Sequence, residues 1–564
     1  MRTIKYRKQF SILFLLLLLM IFSFKGSDEI INRDKIDYQF KPTKEEINEI
    51  IASTYGDWRD ILLRWDGYWR VQEIGADEIV IPVRPNGWDD GGIYRKIHEH
   101  NWAIDDDIVV QTWDRTYTAI SNCNFVIDQI ESGYLPLEEQ KTEVLAELKV
   151  LRASYYYILI DLYGNVPLIT QYSLENKHHP QQQKRDEVFT FIVNEITNNL
   201  NYLSSESSTT TYGRFNKWAA HTLLAKMYLN AKVYTGTPMW NKCIEQCDAV
   251  INSNAGYKLE DNQKNVFITE NQDSKEIIFG LSIDEHSTTA WNQFDIHMQT
   301  CQPSMQKKYK LQAKPWGGMC AIPQFIDTFD PEDKRLTQNF MMGQQYSANG
   351  DPLYVSVGDK IGEPLILVNE LPGVHTSQAT DGYRFEKFEI APGSSNILNN
   401  DFPLFRYADV LMMKAECLLR TGKADDAATI VSKVRARAFD NPEKAKVTGD
   451  ELKQGSLYNY GQRNEFETTY EGGDDIEFGR FLDELGWEFN QEGRRRQDMI
   501  RFDVYTNKSW LSHAPNGDYH KLYPIPAKQL ESNPKLKQNI GYEQIENINY
   551  HKGKLISALA FIFN

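Results

Sequence analysis

Residues Glu143–Thr170 read EVLAELKVLRASYYYILIDLYGNVPLIT. Within Val144–Leu162 the apolar side chains recur every three or four positions, which is the spacing of a helix that buries one face. Gly164 interrupts the pattern, and Pro167 cannot continue a helix because it has no backbone N–H. The stretch therefore predicts a helix of several turns that ends in a tight turn.

Two further segments have the pattern of paired helices. Ala219–Ala231 places leucines and small residues on one face, and Trp240–Ile251 supplies a returning helix. Arg406–Ala438 repeats the arrangement around a turn at Gly422. Such pairs resemble the tetratricopeptide repeat, whose period is about 34 residues, although ordinary helical hairpins give the same pattern. The chain is therefore predicted to be mainly α, with tetratricopeptide-like helix pairs as its scaffold.

Residues 257–401 have a different character. Gly, Pro, Asn and Gln become frequent there, helical periodicity fades, and aromatic residues occur singly. Irregular segments of this kind commonly carry binding residues on a rigid scaffold. This part is therefore expected to be a loop-rich, irregular ligand-binding region inserted into the helical scaffold.

The N-terminus has the pattern of an export signal. Basic residues within positions 2–8 precede the apolar run Phe10–Phe24. That run is short for a membrane-spanning helix, which needs about 20 residues. A signal peptide over residues 1–26 is therefore expected.

Four motifs together resemble one protein family. They are the helix and turn LRASYYYILIDLYGNVPLIT described above, FDPEDKR at Phe329–Arg335, GWEFNQEGRRRQDMIRF at Gly486–Phe502 and YPIPAKQLESNPKLKQNIGY at Tyr523–Tyr542. Each is similar to a signature of the SusD/RagB family, the surface glycan-binding proteins of Bacteroidetes. Because the motifs span most of the chain, the resemblance implies one SusD-like domain over residues 27–542. Residues 543–564 would then be an atypical C-terminal extension.

The resemblance also implies a function. A SusD-like protein would bind oligosaccharides or polysaccharides at the cell surface, without catalysis or a cofactor. It would deliver them to a SusC-like TonB-dependent transporter of the outer membrane, to which the helical scaffold would dock. Family members typically carry a lipidated Cys after the signal, whereas this chain has Gly26 there, which leaves the lipid anchor open. The segment RPNGWDDGG, residues 84–92, resembles fructan-linked members.

Glycan binding has its own chemical requirements. Flat aromatic rings cover the C–H faces of a sugar, and polar side chains in a partly dry cleft satisfy its hydroxyl groups. Residues 64–113 have this composition, and Trp88 lies in a Gly- and Asp-rich turn that would display it on a loop. Trp88 is therefore the first candidate for stacking on a sugar, with packing in the core as the alternative. The other candidates in this segment are Asp66, Tyr68, Asp89 and Asp90.

A second set of candidates lies in the loop-rich region. Trp316 stands in the sequence KPWGG, again the context of an exposed loop. Tyr383 and Arg384 are further candidates for ligand contact. Cys301 and Cys320 flank this loop, and export would allow them to form a disulfide that braces it. Whether the two cysteines are bridged or free stays open at this point.

Other classes of function have less support in the sequence. Adjacent acids such as Asp89 and Asp90 do not establish the two carboxyl groups across a bond that a glycoside hydrolase needs. His98 and His100 have no third ligand at a recognisable spacing, so no metal site is expected. The net charge of −16 argues against a nucleic-acid partner, which requires a basic surface. The alternatives to glycan binding are a scaffold that makes only protein contacts and, with less support, a glycoside hydrolase.

Overall fold

The computed structural model describes residues 42–85, 87–172, 179–284 and 294–542. The chain divides into a short unit that ends at Glu46 and a second unit that begins at Ile47. The predicted signal peptide with Gly26 and the predicted extension over residues 543–564 lie outside the described residues.

Long helices pack on one another in chain order. Asp107–Glu131 lies against Lys141–Leu162, which also contacts Arg185–Asn199. Lys217–Leu229 packs on Trp240–Ile251. The predicted mainly α fold with tetratricopeptide-like helix pairs is thereby confirmed. None of the helices in the described part of the chain is long and apolar enough to cross a membrane.

The loop-rich region is inserted into this array. Trp240–Ile251 precedes the region and Tyr407–Arg420 follows it, and the two helices pack against each other. Tyr407–Arg420 packs in turn on Ala424–Arg435, after a turn at Gly422 with a φ of 81°. The helices on either side of the loops therefore form one continuous scaffold.

The remaining elements are short, apart from two further helices, Lys44–Leu63 and Gly479–Phe489. The short α-helices are Tyr68–Glu73, Ile93–His98, Ala231–Thr235, Ile296–Thr300, Gln306–Tyr309, Pro323–Ile326, Lys334–Asn339, Pro442–Ala445, Gly449–Leu452, Arg495–Arg501 and Ala527–Ser532. Within the described residues, five antiparallel strand pairs join Ile79–Val80 to Cys320–Ala321, Val166–Pro167 to Gln182–Gln183, Ile277–Leu281 to Phe402–Arg406, Phe340–Met341 to Arg384–Phe385, and Gly343–Gln344 to Ile366–Leu367.

The helix Lys141–Leu162 is more deeply buried than its sequence pattern predicts. Every residue of Val150–Leu162 is buried, because helices pack on two of its sides. Gly164 ends it as predicted, with a φ of 72° that favours glycine. A Cβ at this position would also lie 2.9 Å from Leu522 Cδ1.

Buried ion pairs join the scaffold to the loop-rich region. Arg406, at the start of Tyr407–Arg420, contacts Glu488 at 2.8 Å and Glu492 at 2.7 Å. Lys387 of the inserted region contacts the same Glu492 at 2.6 Å. Buried charges are tolerated when they are paired in this way, so the network fixes the insert on the helices.

Candidate functional site

The two tryptophans predicted from separate loops lie side by side. The ring centroids of Trp88 and Trp316 are 5.3 Å apart, and their planes are inclined by 45°. Both residues are half-buried. Tyr94 is fully buried and contacts the Trp88 ring at a centroid distance of 5.5 Å. We call Trp88, Trp316 and Tyr94 the aromatic platform.

The loop that carries Trp88 is fixed by Arg84. The Arg84 guanidinium donates to the Gly318 carbonyl at 3.1 Å and to the Cys320 sulfur at 3.0 Å. Gly318 lies directly against Trp88, since a Cβ there would be 2.5 Å from the Trp88 carbonyl oxygen and 2.9 Å from its ring. Glycine at position 318 therefore allows the Trp88 ring to take this position.

The loop that carries Trp316 is fixed by Arg384. The Arg384 guanidinium donates to the carbonyls of Met319 and Ala379, both at 2.9 Å. Its burial, reinforced by the nearby charge of Arg84, lowers the pKa of Arg384 to about 9. Arg384 is fully buried, so the prediction that it contacts a ligand is wrong. It positions the loop instead.

Asp66 and Tyr68 are also structural, contrary to prediction. Asp66 is 1% exposed and accepts two bonds from the Arg115 guanidinium, both at 2.7 Å. Tyr68 is buried and donates to Asp161 at 3.1 Å, while its hydroxyl accepts from the Gln497 amide at 2.8 Å. The polar groups of both side chains are already hydrogen-bonded inside the fold, so they are not available to a ligand that approaches from solvent.

Asp89 and Asp90 lie at the surface next to Trp88. Asp89 is half-buried and ion-paired with Arg95. Asp90 is exposed and opens the 3₁₀ turn Asp90–Gly92 with a φ of 48°. Although Asp90 is exposed, the surrounding protein removes part of its hydration, and this loss together with the neighbouring Asp89 carboxylate raises the pKa of Asp90. Both carboxylates can therefore accept hydrogen bonds at the edge of the aromatic platform.

Tyr383 is half-buried and sits beside Arg384 in the chain. Its backbone carbonyl accepts from the Ala321 N–H at 2.9 Å. Among the residues that the structure describes, no ring contact joins Tyr383 to Trp88 or Trp316. Tyr383 stays a candidate through its partial exposure alone.

Cys301 and Cys320 are both free and buried, so the possible disulfide between them is not formed. Cys320 lies on a short strand paired with Val80, and its sulfur accepts the bond from Arg84. Burial raises the pKa of the Cys301 thiol to about 12, which keeps it protonated and unreactive. The loop is braced by the arginine contacts rather than by a covalent bond.

The sequence did not point to Arg84, Gly318 or Tyr94 as parts of the site. Tyr94 follows the Gly-rich turn, where its helical position gives no sign of the contact with Trp88. Arg84 and Gly318 are separated by 234 positions. A contact across such a separation leaves no local pattern, so only the fold could show it.

The histidines and acidic residues form no metal site in the part of the chain that the structure describes. Within the described ranges, no group of three or more His, Cys, Asp or Glu residues is arranged to hold a metal ion. His98 and His100 are buried, and their Nε2 atoms contact the backbone carbonyls of Leu511 and Gly75. These contacts assign both side chains to packing inside the fold.

Family models match two long segments of the chain. The SusD family model matches residues 275–542, and a model described as starch-binding associating with outer membrane matches residues 70–229. Both tryptophans of the aromatic platform fall within these segments. The chain belongs to the SusD/RagB family.

Individual SusD-like proteins agree with this assignment. Starch-binding protein SusD of Bacteroides thetaiotaomicron is 28% identical over 475 residues, which are 75% of this chain and 77% of that protein. A solved laminarin-binding SusD-like protein superposes with a TM-score of 0.66 at 20% identity, covering 89% of this chain and all of the other. Surface glycan-binding protein A from Bacteroides uniformis gives a TM-score of 0.65 at 19% identity and covers 88% of this chain and 99% of its own. These two structures share the fold.

Proposed function

We propose that this SusD-like protein binds oligo- or polysaccharide without catalysis, and that Trp88 and Trp316 of the aromatic platform are the stacking residues. The observation that carries the proposal is their contact at 5.3 Å, although each was predicted from a different loop. Two half-buried indoles lose little side-chain entropy on binding, because packing already holds them.

The geometry suits a curved sugar chain. Rings inclined by 45° present two differently oriented apolar faces, so successive sugar units can each lie against one ring. Asp89 and Asp90 at the edge would accept bonds from hydroxyl groups. A shallow surface of this kind buries limited area, so the affinity for an isolated oligosaccharide is expected to be modest.

The place in the cell is proposed from the family. Starch binding and association with the outer membrane are the description of the family model that matches residues 70–229. We propose the same association here, with surface exposure and delivery of the glycan to a SusC-like TonB-dependent transporter. The tetratricopeptide-like helices would form the docking side. Fructan is the proposed glycan because of the segment at residues 84–92.

A binding assay on a glycan panel tests this proposal. Starch-derived maltoheptaose, laminarihexaose and inulin-type fructo-oligosaccharide are titrated calorimetrically into the protein from residue 28 onward. We expect saturable binding of at least one glycan, with inulin-type fructo-oligosaccharide bound most tightly, and no release of new reducing ends. Turnover of any panel member would support the glycoside hydrolase alternative.

Variants locate the site in the same assay. Trp88→Ala and Trp316→Ala should each weaken binding about tenfold, which corresponds to about 1.4 kcal/mol. Trp240→Ala is the matched control, because Trp240 is also half-buried but begins a scaffold helix. If glycan affinity is unchanged in both platform variants, the site assignment is contradicted, and a scaffold that makes only protein contacts is favoured.

A further inference from the structure

A cleft of about 400 Å³ opens in the loop-rich region, and no residue of the aromatic platform lines it. Its volume is at the lower end of the range of about 300–1,000 Å³ that is common for small-molecule sites. Its lining includes Lys308, Gln344, Tyr346 and Glu386.

The cleft is framed by paired backbone. Phe340–Met341 pairs with Arg384–Phe385, and Gly343–Gln344 pairs with Ile366–Leu367. The loop after Tyr346 is held by the Ala348 N–H, which donates to the Lys307 carbonyl at 3.1 Å. The walls are therefore positioned before any ligand arrives, which lowers the entropic cost of binding.

The polar groups of the cleft keep hydrogen-bonding capacity. Lys308 Nζ donates to Gln345 Oε1 at 3.1 Å and lies 4.0 Å from Glu386 Oε2. Tyr309 donates its hydroxyl to the other Glu386 oxygen, Oε1, at 2.5 Å. An ammonium group has three donors and a carboxylate about four acceptor sites. Lys308 and Glu386 can therefore serve further partners, with side chains 25% and 28% exposed.

The charges in this cleft balance. Lys308 supplies one positive charge and Glu386 one negative charge, so the two largely cancel and a charged ligand gains little net attraction to offset its lost hydration. A neutral ligand with adjacent donor and acceptor groups does not have this cost. The hydroxyl groups of a sugar have this property, since each one both donates and accepts.

The cleft is also lined by an aromatic residue, Tyr346. Tyr346 is 50% exposed, and its backbone bridges to Pro352, which fixes the start of its loop. The amide of Gln344 donates to the carbonyls of Gln345 and Leu353, so its own oxygen remains an acceptor. A half-exposed ring beside paired donors and acceptors is the combination that a sugar face and its hydroxyl rim require.

We propose that this cleft is a second carbohydrate subsite, which takes one or two units of a neutral hexose chain. The proposal rests on the proposed function, since it assumes that the protein binds neutral glycans. The Tyr346 ring covers the C–H face of a sugar unit, Lys308 donates to one of its hydroxyl oxygens, and Glu386 accepts from a neighbouring hydroxyl.

The test separates the two sites by variants in the Trp88→Ala background. Maltoheptaose, laminarihexaose and inulin-type fructo-oligosaccharide are added at millimolar concentration, and hydrogen–deuterium exchange is followed in residues 340–347. Tyr346→Ala removes the ring. Tyr354→Ala is the matched control, because Tyr354 is 51% exposed on the same region and does not line the cleft.

We expect at least one neutral oligosaccharide to protect residues 340–347 when Trp88 is absent, and glucuronic acid oligomers to protect them less. Tyr346→Ala should weaken this residual binding about tenfold, and Tyr354→Ala should leave it unchanged. Loss of all binding and protection in Trp88→Ala alone would overturn the subsite while leaving the proposed function intact. A wild-type protein that binds no panel member would overturn both proposals.

Discussion

Two buried arginines determine where the tryptophan rings stand. Arg84 donates to the Gly318 carbonyl, and Arg384 donates to the next carbonyl along, that of Met319. A guanidinium group can hold several carbonyls at once because its five N–H groups form a rigid fork. In the proposed function, neither arginine touches the glycan. Their influence passes through the position of Trp88 and Trp316.

Gly318→Ala tests the contact beneath Trp88. The added methyl group would meet the Trp88 carbonyl oxygen at 2.5 Å, so the ring has to shift and glycan affinity should fall about tenfold. Titration calorimetry measures this affinity. Gly56→Ala is the control, because a methyl group has space there within Lys44–Leu63, where it should stabilise the helix by about 0.5–1 kcal/mol. Equal affinity in both variants would contradict the role of Gly318.

The burial of Glu73 makes the stability of the fold depend on pH and sets the direction of that dependence. Burial raises the pKa of Glu73 to about 7, although its carboxylate accepts N–H bonds from Gly493 at 2.7 Å and Arg494 at 2.9 Å. The pKa of the folded state thus exceeds the ordinary value of 4.5, and the folded protein binds this proton more tightly than the unfolded chain. The resulting stabilisation is complete below pH 4.5 and is lost as the pH rises through about 7.

The substitution Glu73→Gln should remove this pH-dependent contribution to the free energy of unfolding. Between pH 4.5 and 7.5, the unfolding free energy of the wild type should fall relative to that of the variant by about 3 kcal/mol, at about 1.4 kcal/mol per pKa unit. Chemical denaturation of both proteins across this range measures the difference. Buried groups that Glu73 does not influence titrate alike in the two proteins and cancel, whereas the pKa of Glu78, which Glu73 helps to raise, should be raised less in the variant. Parallel stability curves would show that Glu73 does not carry this proton.

Among the elements, the helix Lys141–Leu162 carries a family signature and is buried against neighbouring helices. Its periodicity predicted the helix and Gly164 predicted its end, because both depend on local properties of the chain. The burial of its second face could not be predicted, since that burial comes from Arg185–Asn199 packing on it. The same limit applies to the loops, where an exposed context was visible for Trp88 and Trp316 but their mutual contact was not.

Leu151→Ala tests whether this helix is scaffold only. Leu151 is fully buried, so its truncation should lower the free energy of unfolding by about 2–5 kcal/mol and leave glycan affinity unchanged. Leu145→Ala on the same helix should cost less, because Leu145 is half-buried. Urea denaturation and glycan titration measure the two effects. A folded Leu151→Ala protein with weakened glycan binding would tie the helix to the site.

At the scale of the whole molecule, the buried ion pairs make the loops and helices one structure. Arg406 on the scaffold and Lys387 on the insert share Glu492. The sequence motif around Glu488 and Glu492 was recognised as a family signature, but the charged partners of these two residues come from positions 51 to 153 residues away. The sequence therefore predicted the family and the helices, but it did not predict the contacts that position the loops of the aromatic platform.

Arg406→Met should destabilise the entire unit. Its loss would leave Glu276, Glu488 and Glu492 with fewer positive partners in a buried environment, at a cost of about 3–5 kcal/mol. Lys446→Met removes an exposed partner of Glu443 and should change stability by less than about 0.5 kcal/mol. Guanidinium denaturation, followed by fluorescence, measures the free energy of unfolding of the two variants. Equal stability of the two variants would show that the buried network is not what holds the insert.

A double-mutant cycle on Trp88 and Trp316, with glycan affinity as the readout, tests most directly whether the two residues form one binding surface. Because their rings touch, we predict that each alanine variant weakens binding about tenfold and that the double variant loses less than the product of the two effects. The expected coupling is about 0.5–1.5 kcal/mol. Single variants with wild-type affinity, or two effects that add without coupling, would contradict a shared glycan-binding platform.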